Sequence, residues 1–223
     1  GWHRQSVKDL DDDGWIDMPG YDRWTLRPRL FWEGANGATL FATAGVMQEQ
    51  RRGGTLAGRT APDGAPFPLA QRSRRYDVGL VTSVPVSDSV TASFRAAGTA
   101  QNHRHAYGAV IERDHHDTQF AEASLAGTVG GTSWVGGFAY QRDDYHARSF
   151  PALDYHYRVP GLFGQVEQDI GTDVTLAGSG RIDFHNRYGT RFSPRASALW
   201  KPGPWTVRAS IGRGFYAPTP LVE

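Results

Sequence analysis

Apolar and polar residues alternate along most of this chain. In residues 90–96, VTASFRA, the even positions are apolar and the odd positions are polar. Successive side chains of a β-strand point to opposite faces, so a period of two predicts strands with one apolar and one polar face. The same alternation recurs at 121–129, 174–184 and 205–211. The pattern therefore predicts an all-β fold of ten or eleven strands, which cover residues 1–6, 21–32, 38–49, 75–84, 90–96, 121–129, 133–145, 155–169, 174–184, 192–200 and 205–211.

Short turns alternate with long polar segments between these strands. In an antiparallel meander every second connection falls at the same end, so one end is expected to hold tight turns and the other long loops. Outer-membrane β-barrels have this asymmetry, with short periplasmic turns and long extracellular loops. The predicted short turns are 34–37, 86–88, 130–132, 171–173 and 201–204, and the predicted long loops are 7–20, 50–74, 101–117, 146–154 and 186–191.

Composition is compatible with a membrane barrel. The chain has no apolar run near 18 residues, which argues against helical membrane spans, whereas a barrel distributes its hydrophobicity by alternation. A net charge of +1 gives no reason to expect a nucleic-acid partner. The absence of cysteine excludes disulfides, thiol catalysis and cysteine-ligated metals.

Aromatic residues favour the membrane barrel over its soluble alternative. Four of the seven tryptophans flank short turns, as interfacial aromatics of a barrel would: Trp32, Trp134, Trp200 and Trp205. A soluble β-rich carbohydrate-binding or adhesive domain would also alternate, but it has no reason to sort short from long connections.

Charged residues and one glutamine at the polar positions are predicted to face the barrel interior, because an arginine or lysine facing hydrocarbon costs about 2–4 kcal/mol near the midplane. They serve either as hydrogen-bonding partners of a plug or as guides for substrate. The set comprises Arg27, Arg29, Arg95, Glu122, Gln165, Glu167, Arg181, Asp183, Arg195 and Arg208. Pro28 and Pro194 lie within predicted strands and should cause local irregularities, since proline removes a ladder donor.

The last part of the chain resembles a known family. Residues 192–223 contain a Ser-Pro-Arg strand, a Lys-Pro turn, a Val-Arg-Ala-Ser strand and a Gly-x-Gly-Phe-x-Ala-Pro segment followed by an acidic residue. This order resembles the barrel signature of TonB-dependent outer-membrane receptors. The matching residues are Ser193, Pro194, Arg195, Lys201, Pro202, Val207, Arg208, Ala209, Ser210, Gly212, Gly214, Phe215, Ala217, Pro218 and Glu223.

The resemblance implies a location and a function. Receptors of this family enclose an N-terminal plug in a 22-stranded barrel of the bacterial outer membrane, so residues 1–223 are expected to be about half of one barrel domain, without the plug or the C-terminal strands. It implies TonB-dependent uptake of a scarce nutrient: a ferric siderophore, haem or a cobalamin-type ligand. The implied partners are outer-membrane lipid or lipopolysaccharide, the plug, the TonB complex and a small metal chelate. No required cofactor and no enzymatic activity are implied.

An outer-membrane hydrolase or protease is the enzymatic alternative. Small barrel proteases use aspartate and histidine at the loop rim. The corresponding candidate catalytic residues here are Asp114, His115, His116 and Asp117. No nucleophile elbow, zinc-protease helix or phosphate-binding loop is present in the sequence.

Two groups of residues are candidates for ligand contact. His103 and His105 share a strand face because they are two residues apart, and with His115 and His116 they border one predicted long loop. Imidazoles suit ferric, haem or metal ligands. Arg51 and Arg52 begin an arginine-rich loop suited to an anionic ligand or to lipopolysaccharide phosphate. Ordinary polar loop composition is the alternative explanation for both groups.

An acidic segment near the start suggests calcium. In DLDDDGWIDMP, residues 9–19, Asp9, Asp11, Asp13 and Asp17 take positions 1, 3, 5 and 9 of an EF-hand loop, but position 12 is Gly20 where glutamate is required. An EF-hand is therefore rejected. A weak Ca²⁺ site in an extracellular loop is the remaining metal hypothesis, and a solvated acidic turn is its alternative.

Overall fold

The chain forms one antiparallel β-sheet. A computed structural model describes residues 1–221, so Glu223 of the signature lies outside the described residues. Within them, twelve strands occur together with one three-residue 3-10 helix, Pro151–Leu153. No helix among these residues has the length and hydropathy needed to cross a membrane. The strands are β1 (Trp2–Gln5), β2 (Gly20–Leu26), β3 (Arg29–Glu33), β4 (Thr39–Gly54), β5 (Pro68–Ser87), β6 (Val90–Tyr107), β7 (Val110–Val129), β8 (Thr132–Ala147), β9 (Tyr155–Ile170), β10 (Val174–His185), β11 (Gly189–Trp200) and β12 (Val207–Gly212).

The sheet is a meander in which nearly every strand pairs with its sequence neighbours. The order is β1-β2-β4-β5-β6-β7-β8-β9-β10-β11-β12, and β3 pairs with β4 beside β2. The predicted strand 21–32 is therefore divided in two around Pro28, which raises the strand count to twelve and confirms the irregularity expected there. The irregularity expected at Pro194 is wrong, since β11 pairs with β10 without a register shift.

The strands extend much further than alternation indicated. The predicted loop 101–117 is wrong: β6 and β7 continue through it and meet at a two-residue turn, 108–109. The predicted loop 50–74 shrinks to residues 55–67. At the turn end of the sheet all connections are short. At the opposite, loop end they are residues 6–19, 55–67, 108–109, 148–154 and 186–188, so long loops and short turns are mixed there.

The two faces of the sheet differ in chemistry. One row of the apolar face runs through Phe94, Ala123, Phe138, Leu162 and Ile182, which lie opposite one another on five successive strands. In a transmembrane barrel this is the lipid-facing side.

The polar face holds the predicted interior charges. Arg95 pairs with Glu122 at 2.6 Å, Arg181 with Asp183 at 2.8 Å, and Arg27 with Asp77 at 2.8 Å. Glu122 is only 8% exposed, although it lies on the polar face of the sheet. These ion pairs place the predicted interior charges that form them on one face of the sheet, as the alternation predicts.

Candidate ligand-binding wall

Toward the loop end, the lumen face is rich in polar and aromatic side chains. Here β4 to β10 present histidines, carboxylates and tyrosines in consecutive register rows; we call this surface the polar wall. It is defined by Glu49, Arg51, His103, His105, Asp114, His116, Asp143, Tyr145, Tyr155, Tyr157 and His185. The rows exist because β5 to β8 keep pairing well beyond the short span of about 10 residues that a bilayer requires.

Glu49 anchors one side of the wall. Its carboxylate is 4% exposed and accepts hydrogen bonds from the guanidinium groups of Arg23 and Arg51. Two cations therefore share one buried anion, which leaves net positive charge at this edge. Arg51, a predicted ligand contact, thus reaches the wall already held in place.

The histidines predicted to share a face do so. His103 and His105 stack with ring centroids 5.6 Å apart, the His103 Nδ1 lies 2.9 Å from the Ser73 hydroxyl, and the His105 Nε2 lies 3.1 Å from the Asp114 carboxylate. Asp114 is buried. A hydrogen bond therefore holds the His103 ring, and a contact with a buried carboxylate holds the His105 ring.

His116 belongs to a second, aromatic part of the wall. Its Nε2 lies 2.7 Å from Asp143, and the hydroxyl of Tyr155 donates to the same carboxylate at 3.2 Å. Tyr145 stacks on Tyr155 with ring centroids 5.8 Å apart and an interplanar angle of 16°. Together these groups offer flat aromatic surface beside fixed polar atoms.

The segment after β12 closes the far side of the wall. Tyr157 and Tyr188 both donate hydrogen bonds to the carbonyl of Pro218, at 2.8 and 2.7 Å. Phe215 lies against His185 and Tyr188, with ring centroids 6.5 and 5.9 Å away. Part of the signature segment is thus packed on the lumen face. An open pocket in front of it is lined by Asp143, Tyr157, His185 and Phe215, among others.

The remaining predicted residues lie on the opposite face. His115 points outward and hydrogen-bonds Asn102 and Asp117, at 2.9 and 2.6 Å. Arg52 follows Arg51 on β4, so its side chain also points away from the wall. The predicted histidine and arginine groups are therefore each divided between two surfaces.

The same alternation weakens the protease alternative. Asp114 and His116 face the lumen, while His115 and Asp117 face outward. The four candidate residues are therefore divided between two surfaces and do not form one active site.

The tyrosines of the wall were missed by the sequence prediction. Tyr155 and Tyr157 are two residues apart and Tyr145 follows Asp143 by two, a spacing that places each pair on one face of a strand. That signal was present in the sequence, but it became meaningful only once β8 and β9 were known to pair.

The acidic segment forms a compact loop at the loop end. Carboxylate oxygens of Asp9, Asp11 and Asp17 lie within 4.8 Å of one another, and Asp13 is not part of this group. Asp9 and Asp17 each accept a backbone N–H with one oxygen, while the other oxygen of Asp9 is buried without a hydrogen-bond partner among the described residues. The three convergent carboxylates therefore suit Ca²⁺, which prefers oxygen ligands.

The meander and its two chemically different faces are typical of an outer-membrane β-barrel. The family model for the TonB dependent receptor-like β-barrel matches residues 1–221. The chain belongs to this family of TonB-dependent receptor barrels and is located in the bacterial outer membrane, as predicted.

Individual relatives match this chain over only part of their own length. The iron-regulated outer membrane virulence proteins of two strains of Vibrio cholerae serotype O1 are each 37% identical over 57 residues, which is 25% of this chain and 9% of theirs. The crystal structure of the siderophore receptor PirA from Pseudomonas aeruginosa superposes with a TM-score of 0.72 at 17% identity, over 90% of this chain and 34% of the receptor. That likeness confirms the fold.

Proposed function

We propose that the receptor containing this barrel takes up a ferric siderophore across the outer membrane, with the polar wall as a contact surface on the ligand's route. The observation that favours it is the combination of stacked tyrosines, hydrogen-bonded histidines and a doubly paired Glu49 on the lumen face. A ferric chelate is bulky, often anionic and rich in planar groups, so aromatic faces and guanidinium groups are suitable partners. The names of the relatives support iron as the cargo.

The proposal includes partners outside these residues. A plug domain would occupy the lumen and contact the interior charges, and the TonB complex would supply the energy for passage. The wall binds and releases the chelate and catalyses no reaction. Haem and cobalamin-type ligands are the competing cargoes.

Binding to the intact receptor tests the proposal. Quenching of tryptophan fluorescence is measured with four probes: a ferric tris-catechol chelate, a ferric hydroxamate chelate, haem and cyanocobalamin. One ferric chelate should bind, and Tyr155→Ala should weaken it about tenfold, because buried aromatic contacts commonly contribute 1–2 kcal/mol or more. Tyr76→Ala is the matched control, since Tyr76 is a 48% exposed tyrosine of the apolar face.

Adjacent histidines provide a second comparison. His116→Gln should weaken binding of the same chelate, whereas His115→Gln should leave it unchanged because His115 faces outward. Binding of haem or cyanocobalamin alone would contradict iron-siderophore uptake. Equal losses for both members of each pair would contradict the role of the wall.

We also propose that the acidic loop binds Ca²⁺ through Asp9, Asp11 and Asp17 with a dissociation constant of about 10⁻⁴–10⁻³ M, as in extracellular modules. Calorimetry on the intact receptor tests it. Asp11→Asn should abolish the uptake, while Asp13→Asn, the control, should retain it. Equal heats of Ca²⁺ binding in the two variants would contradict this calcium site.

A further inference from the structure

The apolar face changes character abruptly above its hydrocarbon band. On β5 its side chains run from Val84 through Leu80 to Tyr76, and the next two are Arg74 and Arg72. The apolar stretch 76–84 is nine residues long, which matches one crossing of a bilayer by a tilted strand. At about 2.3 Å of height per residue, the two arginines stand roughly 5–9 Å beyond Tyr76. They therefore project outward at the height of lipid headgroups.

A neighbouring strand brings further arginines to the same surface. Arg72 lies directly opposite Arg104 on β6, and Arg104 lies directly opposite Arg113 on β7. Side chains opposite one another on antiparallel strands have their Cβ atoms about 4.5–5.5 Å apart, and like charges in such positions destabilise a sheet. Three successive arginines in one register row are therefore unfavourable unless an anion lies between them.

No protein carboxylate neutralises this row. Among residues 1–221, no ion pair includes Arg72, Arg74 or Arg104, whereas the lumen-facing Arg23, Arg51, Arg95 and Arg181 all pair with aspartate or glutamate. The nearby outward carboxylates have other partners. Asp22 accepts from the Trp2 indole at 3.3 Å, and Asp117 pairs with His115 at 2.6 Å. Arg72, Arg74 and Arg104 thus lie on the lipid side without a protein counter-charge among residues 1–221, whereas Arg142 on the same side of the sheet pairs with Asp144.

The arginines line a concave surface with amide neighbours. A shallow groove is bordered by Gln48, Gln50, Arg72, Arg74, Asn102 and Arg104. Glu49, Ser73 and His103 complete its lining, but they alternate with these residues and their side chains point to the lumen face. Guanidinium groups bind phosphate oxygens through paired N–H donors, and side-chain amides add further donors beside them. Charge, donor type and height all favour the same ligand. We propose that Arg72, Arg74 and Arg104 bind the phosphate groups of a phosphorylated lipid in the outer leaflet.

Native mass spectrometry of the intact receptor in detergent tests this site. The probe is lipid A carrying two phosphates, compared with the same lipid after removal of both. The wild type should bind the phosphorylated lipid at least tenfold more tightly. The triple variant Arg72→Gln, Arg74→Gln, Arg104→Gln should lose at least that tenfold preference, since each charge-assisted hydrogen bond lost weakens binding several-fold.

A matched triple variant separates local binding from overall charge. Arg187→Gln, Arg195→Gln and Arg208→Gln remove the same charge, but these residues lie in a turn or on the lumen face. This control should retain wild-type lipid affinity within twofold. Heat-dependent gel mobility confirms that each variant forms a barrel, and Arg104→Gln alone, with an expected loss of about threefold, replaces the triple variant if the latter does not insert.

Three results would overturn the proposal. Equal binding of the two lipids by the wild type would exclude phosphate recognition. Equal losses in the two triple variants would show a general effect of charge. Arginine-dependent binding of inorganic phosphate without any preference for phosphorylated lipid would assign the groove to a free anion.

Discussion

Leu125 offers a quantitative test of which face meets the membrane. It lies on β7 in the apolar face, four residues before the strand ends at Val129, and is 46% exposed. At about 2.3 Å of height per residue, it lies roughly 9 Å above the short turn, a few ångströms from the middle of a 25 Å apolar band. Leu125→Arg should therefore destabilise the barrel by about 2–4 kcal/mol, which lowers the folded-to-unfolded ratio about 30- to 700-fold.

Ala126→Arg is the control for Leu125→Arg. Ala126 is the next residue of the same strand, is exposed, and faces the lumen in the same row as Gln165 across β8. The same new charge at almost the same depth should then cost less than about 1 kcal/mol. Urea unfolding of the intact receptor in lipid vesicles, followed by tryptophan fluorescence, measures both free energies. Equal destabilisation by the two substitutions, or a larger effect of Ala126→Arg, would refute the assignment of the faces.

Two further predictions concern the loop end. The backbone N–H of Ala147 and the ring of His146 hold the pKa of Asp154 below its ordinary value of 3.8. The ionised Asp154 carboxylate should therefore contribute fully to stability above pH 3.8. This contribution should disappear as the pH falls through the lowered pKa. Hydrogen exchange at the Ala147 amide, corrected for the intrinsic rate, should show this dependence in the wild type and not in Asp154→Asn. Gly54→Ala should speed proteolysis of residues 55–67 more than Gly58→Ala. Both glycines have φ near +80°, but only at Gly54 would an added Cβ clash with backbone, the carbonyl oxygen of Phe67. Equal cleavage rates would contradict the clash.

Much of the candidate site could be anticipated from spacing. His103 and His105 share a face because they are two residues apart, and this relation depends only on their being in a strand. Their assignment to the border of a long loop failed for a physical reason. Above the membrane both faces of β6 and β7 are polar, so the alternation that indicates a strand disappears while backbone pairing continues.

Register was the information that the sequence lacked. Nothing in the local sequence places Arg72 beside Arg104, or Tyr145 beside Tyr155, since these pairs are 32 and 10 residues apart. Their contact depends on which residue of one strand hydrogen-bonds to which residue of the next. A shift of one residue would move every side chain of a strand to the other face.

The sequence by itself determined that the chain forms a two-faced antiparallel sheet, because the bilayer requires apolar side chains on one side at every second position. Through its last 32 residues it also indicated the receptor family, which the family model confirmed. Only the tertiary structure decided how far the strands extend and which side chains meet. It therefore divided Arg51 from Arg52 and His116 from His115, and it brought three unpaired arginines into one groove on the lipid side.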